Sequence, residues 1–435
     1  MFSRKNRRPR NAELLSAWES LDAGDVHGAL RQLRSGAERL PLGEVALVVR
    51  RAAEGAGFDD LREAAAALAA RPAQAKALYE FGYACVERGL SELAVPALRE
   101  VLRHNPDALV VVRELVSAYE DVGRHREAVE LLTRHEGAFA DWPDRYLLAY
   151  NAIMAGDLAL AHRQHALLPD PEDPQWRPAR DRQRRMLERA TAAACVSPLD
   201  TTDLRGWQYV IGGTVLGTRS PYGYDAGMTG RYAFLQDSPE QCLRGLLRLR
   251  TLLAAAGVRP RSVSLLPDRG SRILGLAAAE LLDLPAEPFT AGREDTVVVA
   301  YDLNDVAPDL LDQLFARAPG QVLHEHASCW TDAPAVAADS VALLHQTVVA
   351  PWDGQLRQGA DGGLERGTAD DRPETVLAEE IVRSHPAPEA DGGDTAPADP
   401  DETFTAFVAA VRGTWLRGDR AGLRSTGPVP SSRFA

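Results

Sequence analysis

Five glycines, Gly24, Gly57, Gly89, Gly123 and Gly156, recur at intervals of 33, 32, 34 and 33 residues. A self-similar period of this length is the signature of a repeat architecture in which each unit is one supersecondary element. Each glycine closes an amphipathic run and opens a tight turn, where a residue without Cβ takes the left-handed conformation of a helix C-terminus. Five residues later, Ala29, Ala94, Ala128 and Ala161 fall where the two helices of a hairpin cross most closely, and a larger side chain would hold them apart.

The clearest unit runs from Ala75 to Pro106. Leu78, Phe81 and Gly82 lie on its first helix, Gly89 at the turn, Ala94 and Leu98 on the second helix, and Pro106 at its close. Val112, Leu115, Tyr119, Gly123, Ala128 and Leu132 repeat the pattern. These residues resemble the tetratricopeptide repeat family over residues 11–170. The resemblance implies an all-α helical solenoid that binds a protein or peptide partner on a concave face lined by first helices. Tyr79, Arg113, Glu114 and Tyr119 are its candidate contacts. A helix from Arg177 to Cys195 is expected to seal the stack, giving a domain over 11–195. Cys85 and His125 read as packing residues.

After Val196 the pattern changes to an α/β domain over 196–353 with a mainly parallel sheet. Strands are expected at 207–216, 232–235, 262–266, 296–301 and 321–324. Helices are expected at 238–256, 271–282 and 308–318, and an edge strand at 341–351. Strands alternating with helices imply right-handed crossovers. Ligands of such sheets bind beyond the carboxyl ends of the strands. That rule selects the loops at Pro267–Ser271, Tyr301–Asp305, His324–His326 and Trp352–Asp353. Asp268, Arg269, Gly270 and Ser271 run into a helix, so they form either an anion site or a simple cap.

The segment Ser262–Pro285 followed by Asp295–Asp305 resembles the core of a type I phosphoribosyltransferase. That resemblance implies a phosphorylated small molecule bound at the first loop and at Asp302 and Asp305, with Mg²⁺ as the possible companion ion. No other cofactor is implied. The family's acidic pair is Tyr301 and Asp302 here, and its phosphate loop is Asn304–Pro308, without glycine, serine or threonine. Two functions follow. One is a bacterial, cytoplasmic adaptor whose α/β domain is non-catalytic or senses a phosphorylated metabolite. The other is an enzyme acting on a phosphorylated sugar or nucleotide, with Asp302 and Asp305 binding Mg²⁺ or serving as acid and base.

Tyr222 and Tyr224 sit in a glycine-rich stretch, 219–231, that reads as a ligand-contacting lid or a structural connection. His324, His326 and Cys329 form an HxHxxC cluster of zinc-ligand types, but alternate strand residues also line pockets and surfaces, so structural or ligand-contact roles are expected here rather than a metal site. There is no HExxH, Walker A or GxSxG motif, and the four cysteines form no CxxC pair. Of the net charge of −13, −10 falls between Asp361 and Glu402, which holds thirteen acidic and three basic residues. The rest of the chain is nearly neutral, so no nucleic-acid footprint is expected despite a basic arm over residues 1–10. No apolar run reaches the roughly 18 residues of a membrane span. Residues 354–401 read as an acidic disordered linker. Residues 402–418 read as an amphipathic helix that docks on the repeat groove or on a partner, followed by a tail over 419–435.

Overall fold

The computed structural model describes residues 11–224, 227–359, 363–388, 396–422 and 425–431; the basic arm lies outside them. The chain forms two compact units. One comprises Met1–Ala155 with Ala159–Asp170, the other Gly156–Leu158 with Pro171–Ala435. Among the described residues, no helix is long and apolar enough to cross a membrane.

The first unit is helical: α1 (Ala12–Asp22), α2 (Val26–Gly36), α3 (Leu42–Ala56), α4 (Asp59–Ala70), α5 (Ala75–Glu87), α6 (Ser91–His104), α7 (Leu109–Asp121), α8 (His125–Arg134) and α9 (Tyr146–Ala155), with α10 (Leu158–Leu167). From α1 to α9 each helix packs on its neighbours in sequence. The five periodic glycines all have positive φ, between 66° and 85°. Ala29, Ala94, Ala128 and Ala161 are fully buried. A Cβ at Gly82 would come within 2.7 Å of Leu98, so α5 and α6 approach as closely as their side chains permit.

The second unit contains α11 (Arg177–Ala193), α12 (Leu204–Gly212), β1 (Val215–Leu216), β2 (Tyr232–Gln236), α13 (Pro239–Ala256), β3 (Ser262–Leu265), α14 (Arg269–Leu282), β4 (Ala286–Pro288), β5 (Thr296–Ala300), α15 (Pro308–Phe315), β6 (Val322–Cys329) and β7 (Ser340–Val349). A hairpin of β8 (Leu356–Gln358) and β9 (Leu364–Arg366) follows, then α16 (Glu374–Arg383) and α17 (Asp401–Val411). Seven strands form one sheet in the order β1-β7-β6-β5-β3-β4, with β2 also pairing with β7. Every pairing in it is parallel. β3, β5 and most of β6 and β7 are buried, as apolar strands covered on both faces must be.

Several expectations are corrected. Residues 207–212 lie in α12, because the Asp203 carboxylate caps Gly206 N–H at 2.9 Å and starts a helix. Only Val215–Leu216 is strand. β7 is an interior strand rather than an edge, and α11 belongs to the second unit, where it packs on α12 and α17. The expected linker contains β8, β9 and α16, and α16 packs on α14 and α13. The amphipathic helix α17 packs on α13 and α11 within its own unit.

Buried ion pairs explain how so polar a segment folds. Arg205 donates to both oxygens of Asp399 at 2.8 Å and to the carbonyls of Leu216 and Gly217. Phe404 on α17 lies against the guanidinium groups of Arg205 and Arg248, at 5.0 and 4.8 Å. Arg420 is buried and donates to Asp339 Oδ2, Leu314 O and both oxygens of Gln321. Asp339 also accepts from Arg317. The short connection from β6 to β7 carries no helix of its own. It is braced instead by the C-terminal segment, through the bridge between Val336 and Ala421 and the bond from Ala337 N–H to Arg420 O.

Candidate functional site

β3 has β4 on one side and β5 on the other, so the loops leaving β3 and β5 diverge and open a crevice at the carboxyl end of the sheet. The crevice is a cleft of about 540 Å³. Asp268, Arg269 and Gly270 reach it from the β3 loop; Tyr301, Asp302, Asn304 and Asp305 from the β5 loop; Cys329 and Asp332 from the end of β6. His345 on β7, with Trp352 and Asp353 beyond it, completes the wall.

Asp268 is the N-cap of α14: its Oδ1 accepts from Ser271 N–H at 2.8 Å, while Oδ2 is buried without a partner among the described residues. Ser271 is fully buried below the cleft, where its Oγ accepts from Tyr301 N–H at 3.0 Å. A Cβ at Gly270 would lie 3.3 Å from both Trp352 and Tyr301 Cβ, a spacing that packs the loop tightly against the cleft aromatics. Asp302 caps the turn Leu303–Asp305 through Asn304 N–H, at 2.8 Å. Its other oxygen lies 3.5 Å from His345 Nε2, which also approaches Ala327 O at 3.2 Å. His345 Nδ1 is buried with no partner among the described residues. Burial, and then the charges of Asp302, Asp268 and Asp353, hold the Asp305 carboxyl above its usual range.

Five aspartates thus face one arginine in the cleft wall. Arg269 is exposed, and its guanidinium donates to the carbonyls of Asp370 and Arg372 at 2.8 and 2.9 Å. The expected anion site therefore has its helix start capped by Asp268 and its cation engaged on the backbone.

The sequence-selected residues Asp268, Arg269, Gly270, Asp302 and Asp305 are brought together in this cleft, with Ser271 beneath it. Tyr222 and Tyr224 are not among its lining residues. Tyr222 is 72% exposed, and Tyr224 lies beside Arg219 and Gly230 with its hydroxyl buried. His324, Glu325 and His326 lie inside β6, which runs on to Cys329, and not in a loop. His324 Nδ1 pairs with Ser340 Oγ at 2.9 Å. The HxHxxC group is divided: Cys329 lines the cleft, whereas His326 meets Asp237 and Cys242. Asp237 and Cys242 had no motif to mark them.

In the helical unit Tyr119 is 4% exposed and its hydroxyl accepts from Arg99 at 2.7 Å, so it is a packing residue and not an open contact. Arg113 is half-buried and donates twice to Asp144, at 2.7 and 2.9 Å. Tyr79 and Glu114 are half-buried neighbours, and Tyr83 stands more exposed beside Tyr79 with ring centroids 6.3 Å apart. Burial and the Glu87 charge raise the Glu114 carboxyl.

No protein-family profile and no curated protein matches the chain. Among solved structures, a MamA mutant aligns at 23% identity over 35% of this chain and 92% of its own, with a TM-score of 0.24. MamA AMB-1 aligns at 22% identity over 36% of this chain and 96% of its own, also with a TM-score of 0.24. Scores at this level carry no inference about fold or function.

Proposed function

We propose that the chain is an adaptor: a tetratricopeptide-like array that holds a protein or peptide partner, joined to an α/β unit that binds a small ligand in its acidic cleft. The observation that carries the first half is the helical period itself, five left-handed glycines about 33 residues apart with a buried alanine after four of them. Such an array buries its core only by stacking, and its first helices present a continuous surface. Tyr79, Tyr83 and Glu114 are the contacts that remain accessible on that surface, with Arg113 engaged on Asp144. Tyr79→Ala combined with Glu114→Lys is expected to abolish capture of the partner in pull-downs while leaving the circular dichroism unchanged. Undiminished capture would sink this assignment.

The cleft's charge sets its ligand class. Carboxylates at this density repel a free phosphate and attract a cation or the hydroxyls of a polyol. Carboxylate oxygens are the donors that Mg²⁺ takes, and Asp302 and Asp305 would hold it, so a phosphorylated metabolite is expected only as its Mg²⁺ complex. A thermal-shift titration with sugar phosphates, with and without Mg²⁺, tests this. Stabilisation that requires Mg²⁺ and disappears in Asp302→Asn supports it, and stabilisation by phosphate without metal refutes it. An enzyme is the second reading, favoured by His345, whose Nδ1, without a partner among the described residues, and Asp302-facing Nε2 are the parts of a general base. Turnover of a phosphorylated sugar or nucleotide that is lost in His345→Gln would decide for it.

A further inference from the structure

Beside the cleft, and outside it, three side chains of different chemistry converge in the core. Asp237 follows β2, Cys242 lies in the first turns of α13, and His326 is in the middle of β6; all three are buried. Asp237 Oδ2 is 3.0 Å from His326 Nε2 and 3.5 Å from Cys242 Sγ, and Cys242 Sγ is 3.8 Å from His326 Nε2. A triangle with these sides has its centre about 2.0 Å from each corner, close to the length of a zinc bond to nitrogen or oxygen and slightly short of one to sulfur. Tyr301 also donates to Asp237 Oδ2, at 2.8 Å. As a hydrogen-bond cluster the group is overfilled, since three donors would share one oxygen that has two lone pairs.

We propose that Asp237, Cys242 and His326 bind a zinc ion that ties α13 to the sheet beneath the cleft. A carboxylate, a thiolate and a neutral imidazole balance the two charges of the ion, which a buried site requires. The mixed oxygen, sulfur and nitrogen set selects zinc over Mg²⁺ or Ca²⁺. On binding, the Cys242 thiol proton is released to solvent as the sulfur–metal bond forms. Gly245 makes room for the ligand ring, because a Cβ there would lie 2.7 Å from His326 Nδ1. Tyr301 lines the cleft and holds Asp237, so the ion fixes the position of a cleft residue without being part of the cleft.

The test uses the full chain. Elemental analysis after expression with added zinc is expected to give about one zinc per chain. Replacement by Co²⁺ is expected to give a near-ultraviolet thiolate-to-cobalt band that persists in Cys195→Ser and Cys329→Ser and is lost in Cys242→Ser. Folded wild-type protein that takes up neither zinc nor Co²⁺ overturns the proposal, whether or not the Cys242 variant folds. So does a cobalt–thiolate band that vanishes in Cys195→Ser or Cys329→Ser.

Discussion

Asp144 is 2% exposed, and both of its oxygens accept from Arg113 while Oδ2 also takes Ala140 N–H. Removing the arginine leaves a buried carboxylate without its counter-charge. Arg113→Ala is therefore expected to cost about 2–3 kcal/mol, toward the low end for a broken buried pair because the arginine is itself partly exposed. Urea unfolding of the variant checks this. An unchanged midpoint would mean that the pair contributes nothing.

Glu325 lies in β6 with its carboxyl pushed up to about 8, first by burial and then by Asp302. The fold keeps this proton over a range where the unfolded chain has lost it, so stability falls as pH rises from about 4.5 to about 8. Glu325→Gln keeps the acceptor for Leu303 N–H and removes that loss; its melting temperature is expected to exceed that of the native chain more at pH 8.5 than at pH 5. His324 works in the other direction. Burial lowers it to about 3, so the stability of its neutral form is present above about 6.5 and is lost as pH falls toward 3. Residue by residue, the loop rule located Asp268, Asp302 and Asp305 because strand ends are readable from apolar runs. Asp237 and Cys242 were not legible, since His326 lies 89 and 84 residues further along the chain and only the sheet brings them together.

At the scale of elements, short-range physics was legible where it decided the outcome. The glycines predict turns because few other residues take positive φ without strain. α12 was misread because Trp207, Tyr209, Val210 and Ile211 favour strands locally, while burial and the Asp203 cap make them helical. The spacing of Phe404, Phe407, Val408 and Val411 reveals a helix but not its destination, which is set by α13 and α11. Phe404 is 1% exposed in that contact, so Phe404→Ala is expected to destabilise the α/β unit by about 3–5 kcal/mol. Chemical denaturation followed by tryptophan fluorescence would show it. A loss below about 1 kcal/mol would mean that α17 is a loose appendage after all.

At the scale of the molecule, the described part of the region richest in acid is structured, and arginines far away in the sequence pair with its acids, Arg205 with Asp399, Arg248 with Asp401 and Arg272 with Glu374. A composition window sees thirteen acidic residues and cannot see Arg205, 194 positions upstream of Asp399. Arg420→Ala is expected to cost about 3–5 kcal/mol, because it strips Asp339 of one guanidinium and Gln321 of its donor. Calorimetry on the variant measures that loss, and an unaltered transition would exclude it.

The Arg205–Asp399 and Asp339–Arg420 pairs also carry a consequence for biosynthesis. A ribosome adds residues from the N-terminus, so Arg205 emerges 194 residues before its aspartate and Asp339 emerges 81 residues before Arg420. All seven strands of the sheet have been translated while these charges still lack their mates. Completion of the α/β unit is therefore tied to translation of its last structured segment, and a ribosome stalled between residues 350 and 415 would display a nascent chain fit for chaperone capture but not for native closure.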